Sequence, residues 1–180
     1  MSYPKERMIT CLLSTELKRL NIGIAALSEV QRPDSGEIMA DGYTYYWSGH
    51  SDGYHAQGVA VAVSNKLTSM TIEVIRANEC IMRQRIHHSL GVVSLVSAYA
   101  LTEVSDLTMK EALDATLESV VDQCLRQDTL LVLRDFSALT GTDRDRYETC
   151  VSPHGSGTVN QNSTKFLYFA RSHGLWVAGS

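Results

Sequence analysis

Residues 129–141 read TLLVLRDFSALTG. From Leu130 to Leu133 the run is unbroken apolar and of strand length, and it stops on Arg134 and Asp135. An uninterrupted apolar strand is what a sheet covered on both faces requires. An unpaired carboxylate is costly to bury, so Asp135 belongs where the strand leaves the sheet, at the end where ligand sites of α/β folds gather. The same residue also suits a plainer role, capping the turn that follows. The stretch by itself leaves both readings open.

Working upstream, Thr108 and Glu111 have the spacing of a capping box. Leu113, Leu117, Val120, Val121 and Cys124 then mark one apolar helix face, with Lys110, Asp114, Glu118 and Asp122 turned away from it. Before that helix, GVVSLVSAYA (91–100) reads as a second apolar strand with Tyr99 at its exit. Strand, crossover helix and strand make a βαβ unit, which predicts parallel pairing of the two strands. A tyrosine with its ring buried and its hydroxyl at a rim most often serves the structure. A further strand precedes the turn at Ser89–Gly91. In it Arg83, Arg85 and His87 alternate with Gln84 and Ile86, gathering the basic groups on one face. Such a face either contacts phosphate or is a solvated outer face, and the second is the commoner use of charge on a sheet.

Further out, residues 8–20 place Leu13, Leu17 and Leu20 at helical spacing, and Asn21 stops the helix. IGIAAL (22–27) reads as a buried strand running into Ser28 and Glu29, an acidic exit like that of Asp135. Pro33, Asp34, Ser35 and Gly36 read as a turn. YTYYW (43–47), GVAVAV (58–63) and SMTIEVI (69–75) are three β-rich runs. His50, Ser51 and Asp52 stand side by side, but triad members converge from separate segments, so a polar hairpin loop is expected there. Downstream of Asp135, TGTDRDRYET (140–149) is polar and HGSGTVNQNS (154–163) is rich in Gly, Ser and Asn. Those glycines could cradle a phosphate, yet no P-loop lysine follows them. Asn162 or Ser163 is expected to cap a helix carrying Phe166, Leu167 and Phe169 that stops near Gly174, and LWVAG (175–179) to begin a strand.

The 180-residue chain is of one-domain size, enough to bury about 70% of its unfolded surface. With 44% apolar and 20% charged residues and three prolines it reads as globular. A net charge of −4 gives no general pull toward nucleic acid, so such binding would need a local surface. Cys11, Cys80, Cys124 and Cys150 form no C-x-x-C pair, which predicts neither a zinc knuckle nor a disulfide framework but reduced thiols in an intracellular protein of nucleus or cytoplasm. No signal peptide is read at the start, and the mostly apolar stretch 90–101 is too short to span a bilayer, so no membrane role is expected. No repeat or linker interrupts residues 1–180, read as one domain.

The three strand exits at Glu29, Tyr99 and Asp135 fall within an ordered set of stretches. These are ALSEV (26–30), DGYTYYWSG (41–49), QGVAVAVS (57–64), SLVSAYALTE (94–103), VLRDFSALTG (132–141), PHGSGTVNQNS (153–163) and LYFARSHGL (167–175). No single piece is specific, but the order is. The sequence resembles the endonuclease/exonuclease/phosphatase superfamily of Mg²⁺-dependent phosphodiesterases, and within it the endonuclease domains of non-LTR retrotransposons and their relatives. The resemblance implies a four-layer α/β sandwich, two facing β-sheets with helices outside. It implies Glu29 as a ligand of Mg²⁺ (or Mn²⁺), Tyr99 as a contact of the scissile phosphate, Asp135 as the group that activates water, and Ser137 beside it. A hard cation takes carboxylate oxygens and neutralises the phosphate, while a second carboxylate takes a proton from water. DNA would be the partner.

The departures are specific. Arg134 stands where the family has Gly, Ser137 where it has Asn, and Leu101 where a proline follows the tyrosine. A first strand with an Asn ligand has no counterpart ahead of residues 8–20, and the family's second Asp and catalytic His would lie beyond Ser180. The expectation is therefore a fold incomplete at both ends, with weak or absent hydrolysis. The alternative is a non-catalytic remnant, or a domesticated interaction domain of the same fold.

Overall fold

Leu17 and Leu13 lie on one stripe of helix α1 (Pro4–Arg19), and that stripe decides the first packing interface. The computed structural model describes residues 4–51, 58–99, 106–134, 141, 146–152 and 161–178. The chain falls into two compact units, Met1–Arg134 and Asp135–Ser180, each described by itself below.

In the first unit, α1 ends where Asn21 takes a left-handed conformation, φ 53°. Leu20 lies past the helix and is exposed rather than part of the apolar stripe. Strand β1 (Ile24–Ser28) follows, then β2 (Ser35–Ala40), β3 (Tyr43–Ser48) and β4 (Val59–Ser64). They form an antiparallel sheet in the order β1-β4-β3-β2. Leu17 packs with Tyr43, Tyr45 and Ala62, flanked by Leu13, Ile22 and Ile38. The polar tips are satisfied: the Tyr43 hydroxyl donates to the Ile22 carbonyl at 2.6 Å, and the Tyr45 and Ser14 hydroxyls bond at 2.6 Å. Strand β2 corrects the turn expected at residues 33–36, since Ser35 and Gly36 already pair with Ser48 and Trp47. A Cβ on Gly36 would sit 2.6 Å from the Trp47 ring, so the strand needs glycine there.

A helical turn α2 (Asn65–Thr68) leads to the second sheet, β5 (Thr71–Asn78), β6 (Ile81–His88), β7 (Gly91–Ala98) and β8 (Thr129–Arg134), in that order. Between β7 and β8 runs α3 (Leu107–Asp122), and the two strands pair in parallel, the βαβ crossover read from the sequence. α3 buries Leu113, Leu117, Val120 and Val121 and packs on β6 and β7. Its N-cap is Asp106, whose carboxylate accepts from the Thr108 amide and hydroxyl, so the cap lies two residues ahead of the expected box. The sheets face one another through β3 and β4 against β6 and β7. Helix α1, sheet, sheet and helix α3 thus give the four layers of an α/β sandwich.

Three expectations change. β1 lies at a sheet edge and is only half-buried. Among the described residues β8 has β7 as its single strand neighbour, and Leu131 is 45% exposed, so the apolar run is not covered on both faces. An apolar run that is covered on both faces is β4, where Val59 to Val63 are all buried between α1 and the second sheet. Third, the basic face of β6 is not solvated: Arg83 is 8% exposed, donates to the Gln123 carbonyl and pairs with Glu73, and Arg85 holds Asp128 through two hydrogen bonds. The cations tie the end of α3 and the approach to β8 onto the sheet, and His87 alone of that row is exposed.

In the second unit, α4 (Gln161–Ser172) buries Leu167, Phe169 and Ala170. Asn162 and Ser163 fall inside its first turn instead of capping it. It closes as foreseen at Gly174, φ 62°, with the Gly174 amide bonded to Arg171 and the Leu175 amide to Ala170, a Schellman pair. Residues 175–178 form no strand; the Val177 amide instead donates to the Cys150 carbonyl.

Candidate functional site

The register of the two sheets assembles one rim. Ser28, last in β1, pairs with Val59, first in β4, and Val59 pairs with Ser48, last in β3. In the other sheet Ile81, first in β6, pairs with Ala98, last in β7, which pairs with Arg134, last in β8. Side-chain bonds close the sheets on each other here, among them two from the Arg76 guanidinium of β5 to the Trp47 and Gly36 carbonyls, each 3.1 Å. The Ser48 hydroxyl donates to the Asn78 carbonyl at 2.7 Å, and the Tyr99 hydroxyl donates to Glu29 Oε1 at 3.1 Å. Glu29 and Tyr99, 70 residues apart in sequence, therefore meet. Tyr99 is 7% exposed and Glu29 exposed. A buried phenol thus presents only its hydroxyl to the rim.

The backbone around Glu29 is held in an uncommon conformation. Glu29, Gln31 and Asp34 all have positive φ, at 54°, 51° and 56°, each of which costs a non-glycine residue about 1 kcal/mol or more. The surroundings enforce it. Val30 donates to the Gly58 carbonyl, Asp34 donates to the His50 carbonyl at 2.8 Å, and Gly49 donates to the Asp34 carbonyl at 2.7 Å. A Cβ on Gly49 would collide with the Arg32 carbonyl. Arg32 in turn lies over the Trp47 ring, 4.5 Å from its centroid.

Arg134 replaces the small residue that the resemblance calls for, yet its guanidinium is directed to α3, where it bonds Asp114 at 3.0 Å. Beneath the rim, burial pushes the Cys80 thiol up to about 11, with Glu79 adding to the rise and Arg134 opposing it. Such a thiol is inert and serves as packing. All four cysteines are free. The rim also holds a pair the sequence reading passed over: His50 Nε2 lies 4.0 Å from Glu79 Oε1. The signal available was His50 itself, set aside with its neighbours as a hairpin loop, and nothing in sequence pointed to Glu79 across the gap. Asp135 and Ser137 lie outside the described residues, as does most of the glycine-rich stretch at 154–163.

A divalent cation of the Mg²⁺ kind binds through one or two carboxylates and completes its shell with water and phosphate oxygens. The exposed carboxylate of Glu29, oriented by one phenol, fits such an anchor. Among the described residues no three His, Cys, Asp or Glu side chains group to hold a metal, and no helix is long and apolar enough to cross a membrane.

No family model matches the chain. Craniofacial development protein 2 of Bos taurus is 20% identical to it over 169 residues, 94% of this chain and 28% of the relative. The protein of the same name from Tragulus javanicus is also 20% identical over 169 residues and is covered to 29%. The chain thus spans less than a third of the length of these curated relatives. Among solved structures, the endonuclease domain of TRAS1, a telomere-specific non-LTR retrotransposon, matches with a TM-score of 0.57 at 15% identity, over 89% of this chain and 63% of that one. At this identity the likeness is one of fold. The fold likeness agrees with the α/β sandwich expected from the sequence.

Proposed function

We propose, from this likeness to a retrotransposon endonuclease domain, that the chain is a Mg²⁺- or Mn²⁺-dependent phosphodiester-directed domain that binds DNA at the rim of Glu29 and Tyr99 and hydrolyses it weakly. The observation that supports it most directly is the Tyr99–Glu29 hydrogen bond, which puts a carboxylate and a phenol from two sheets at one place. Glu29 would hold the cation, which supplies neutralising charge to a phosphate. The Tyr99 hydroxyl orients Glu29 by donating its one proton to it, and would turn that proton to a phosphate oxygen once the carboxylate is taken up by the cation. Asp135, directly after β8, is the residue we assign to accept a proton from the attacking water. Ser137 limits the rate, because its hydroxyl is shorter than an amide side chain and lacks the NH₂ donor that would hold the water or phosphate. Arg134 is no obstacle, since its charge is engaged by Asp114. The reading places the protein inside the cell, with nucleic acid as its partner.

Plasmid nicking and DNA gel shift in Mg²⁺ test this together. Glu29→Gln should weaken both binding and nicking. Asp135→Asn should leave binding and lower nicking by roughly a hundredfold or more, the usual scale for a general base. Ser137→Asn should raise nicking. If DNA is bound and Glu29→Gln releases it, yet neither the wild type nor Ser137→Asn nicks, the non-catalytic interaction domain is the correct description. Binding that ignores Glu29→Gln would refute the site.

A further inference from the structure

Hydrogen bonds, chain neighbours and one close backbone approach link the residues of the rim. Glu29 accepts from Tyr99; the Tyr99 amide donates to the carbonyl of Cys80, neighbour of Glu79; Glu79 faces His50. His50 follows Gly49, whose Cα lies 3.9 Å from where a Cβ on Gly58 would be, and Gly58 accepts from Val30, next to Glu29. Glu29, Tyr99, Glu79 and His50 therefore border one patch of surface. His50 and Glu79 side chains are 31% and 36% exposed, open enough to meet a ligand and enclosed enough to be held. Among the described residues His50 is the histidine of this rim. His87 and His88 end β6 at the opposite end of the sheet, and His173 belongs to the second unit.

We infer that His50, whose Nε2 has the Glu79 carboxylate 4.0 Å away, is a phosphodiester-binding residue of the site. The inference rests on the reading of Glu29 and Tyr99 above and names the donor that reading lacks. Glu29 and Tyr99 offer one anion and one hydroxyl, and the Arg32 guanidinium of this rim lies over Trp47, so a further N–H donor facing the patch would serve an anionic substrate. An imidazole N–H can donate to a phosphate oxygen, and the Glu79 carboxylate stands on its flank. The pair spans the gap between the sheets, Glu79 from the β5–β6 turn and His50 from the end of β3. The Ser48–Asn78 bond keeps those two segments together. His50 is thereby built onto rigid strand ends.

The test uses the full chain with ¹⁵N-labelled histidine, titrated with a short DNA duplex in Mg²⁺. The His50 imidazole signal, identified by its loss in His50→Gln, should shift on addition of DNA, while those of His87 and His88 stay in place. His50→Gln should weaken duplex binding by about tenfold, the scale of one charge-assisted hydrogen bond. Glu79→Gln should alter the distribution of the proton between the two ring nitrogens of His50 and weaken binding less. If the duplex binds and is released by Glu29→Gln while the His50 signal stays unmoved, the inference is overturned and the site reading survives. If the duplex does not bind at all, both fall.

Discussion

Asp128 shows how little room the charges on β6 have to serve a ligand. Its carboxylate is 1% exposed, takes two hydrogen bonds from Arg85 at 2.7 and 3.1 Å, and a third from Ser94 at 2.7 Å. The bond from Arg85, chiefly, holds its pKa below the ordinary carboxylate value, with burial opposing and Ser94 assisting. A depressed folded pKa stabilises the fold at pH values above the unfolded pKa, and that stability disappears as pH falls through the folded value. The wild type should therefore lose urea stability steeply in acid, below the ordinary carboxylate range. Asp128→Asn should be less stable at neutral pH, because it leaves the Arg85 charge without its partner, and its profile should be flatter in acid. Equal slopes for the two proteins would show that Asp128 is not the linkage. Sequence made the alternation of Arg83, Arg85 and His87 visible, but not their partners, which arrive from residues 73, 123 and 128.

The stretches β4 and β8 teach the opposite lesson at the scale of the element. Both are unbroken apolar runs, and periodicity assigns both to strands. Their burial differs because neighbours decide it: β4 is central in its sheet with α1 on one side and β6 and β7 on the other, whereas β8 is an edge among the described residues. Val61 is fully buried and Leu131 is 45% exposed. Val61→Ala should cost about 2–3 kcal/mol, two buried methyl-sized groups plus the cavity they leave, and Leu131→Ala below about 1 kcal/mol. Urea midpoints of the two variants decide it, and a larger loss at Leu131 would mean that β8 is covered in solution. The βαβ crossover was legible because a helix of fixed length between two apolar runs allows few topologies. β2 was not, because Ser35, Gly36 and Glu37 look like a turn locally, and the strand exists only through its pairing with β3 and the seat Gly36 makes for Trp47. Glu29 and Tyr99 were legible as strand exits; that they touch is a product of the two sheets closing at one rim.

On the scale of the whole molecule, charge sets how DNA can be held. The net charge is −4, and the cations of β6 are neutralised by Glu73 and Asp128. Arg134 is likewise engaged by Asp114. What the rim presents is Glu29 and Glu79 with His50 between the sheets and Arg32 over Trp47. Among the described residues, this rim offers no broad field of phosphate contacts for duplex DNA. On the proposed reading, affinity would come from a divalent cation on Glu29 and a few directed donors, releasing counterions from about one or two phosphates. The logarithm of the binding constant should then fall with the logarithm of monovalent salt at a slope near −1 to −2, since each neutralised phosphate contributes about −0.9. Chelation of the divalent cation should abolish binding at every salt concentration. Fluorescence anisotropy with a labelled duplex measures both. A slope of about −6 that persists in chelator would locate the DNA on a basic surface away from this rim, and would separate the protein's nucleic-acid contacts from Glu29 and Tyr99.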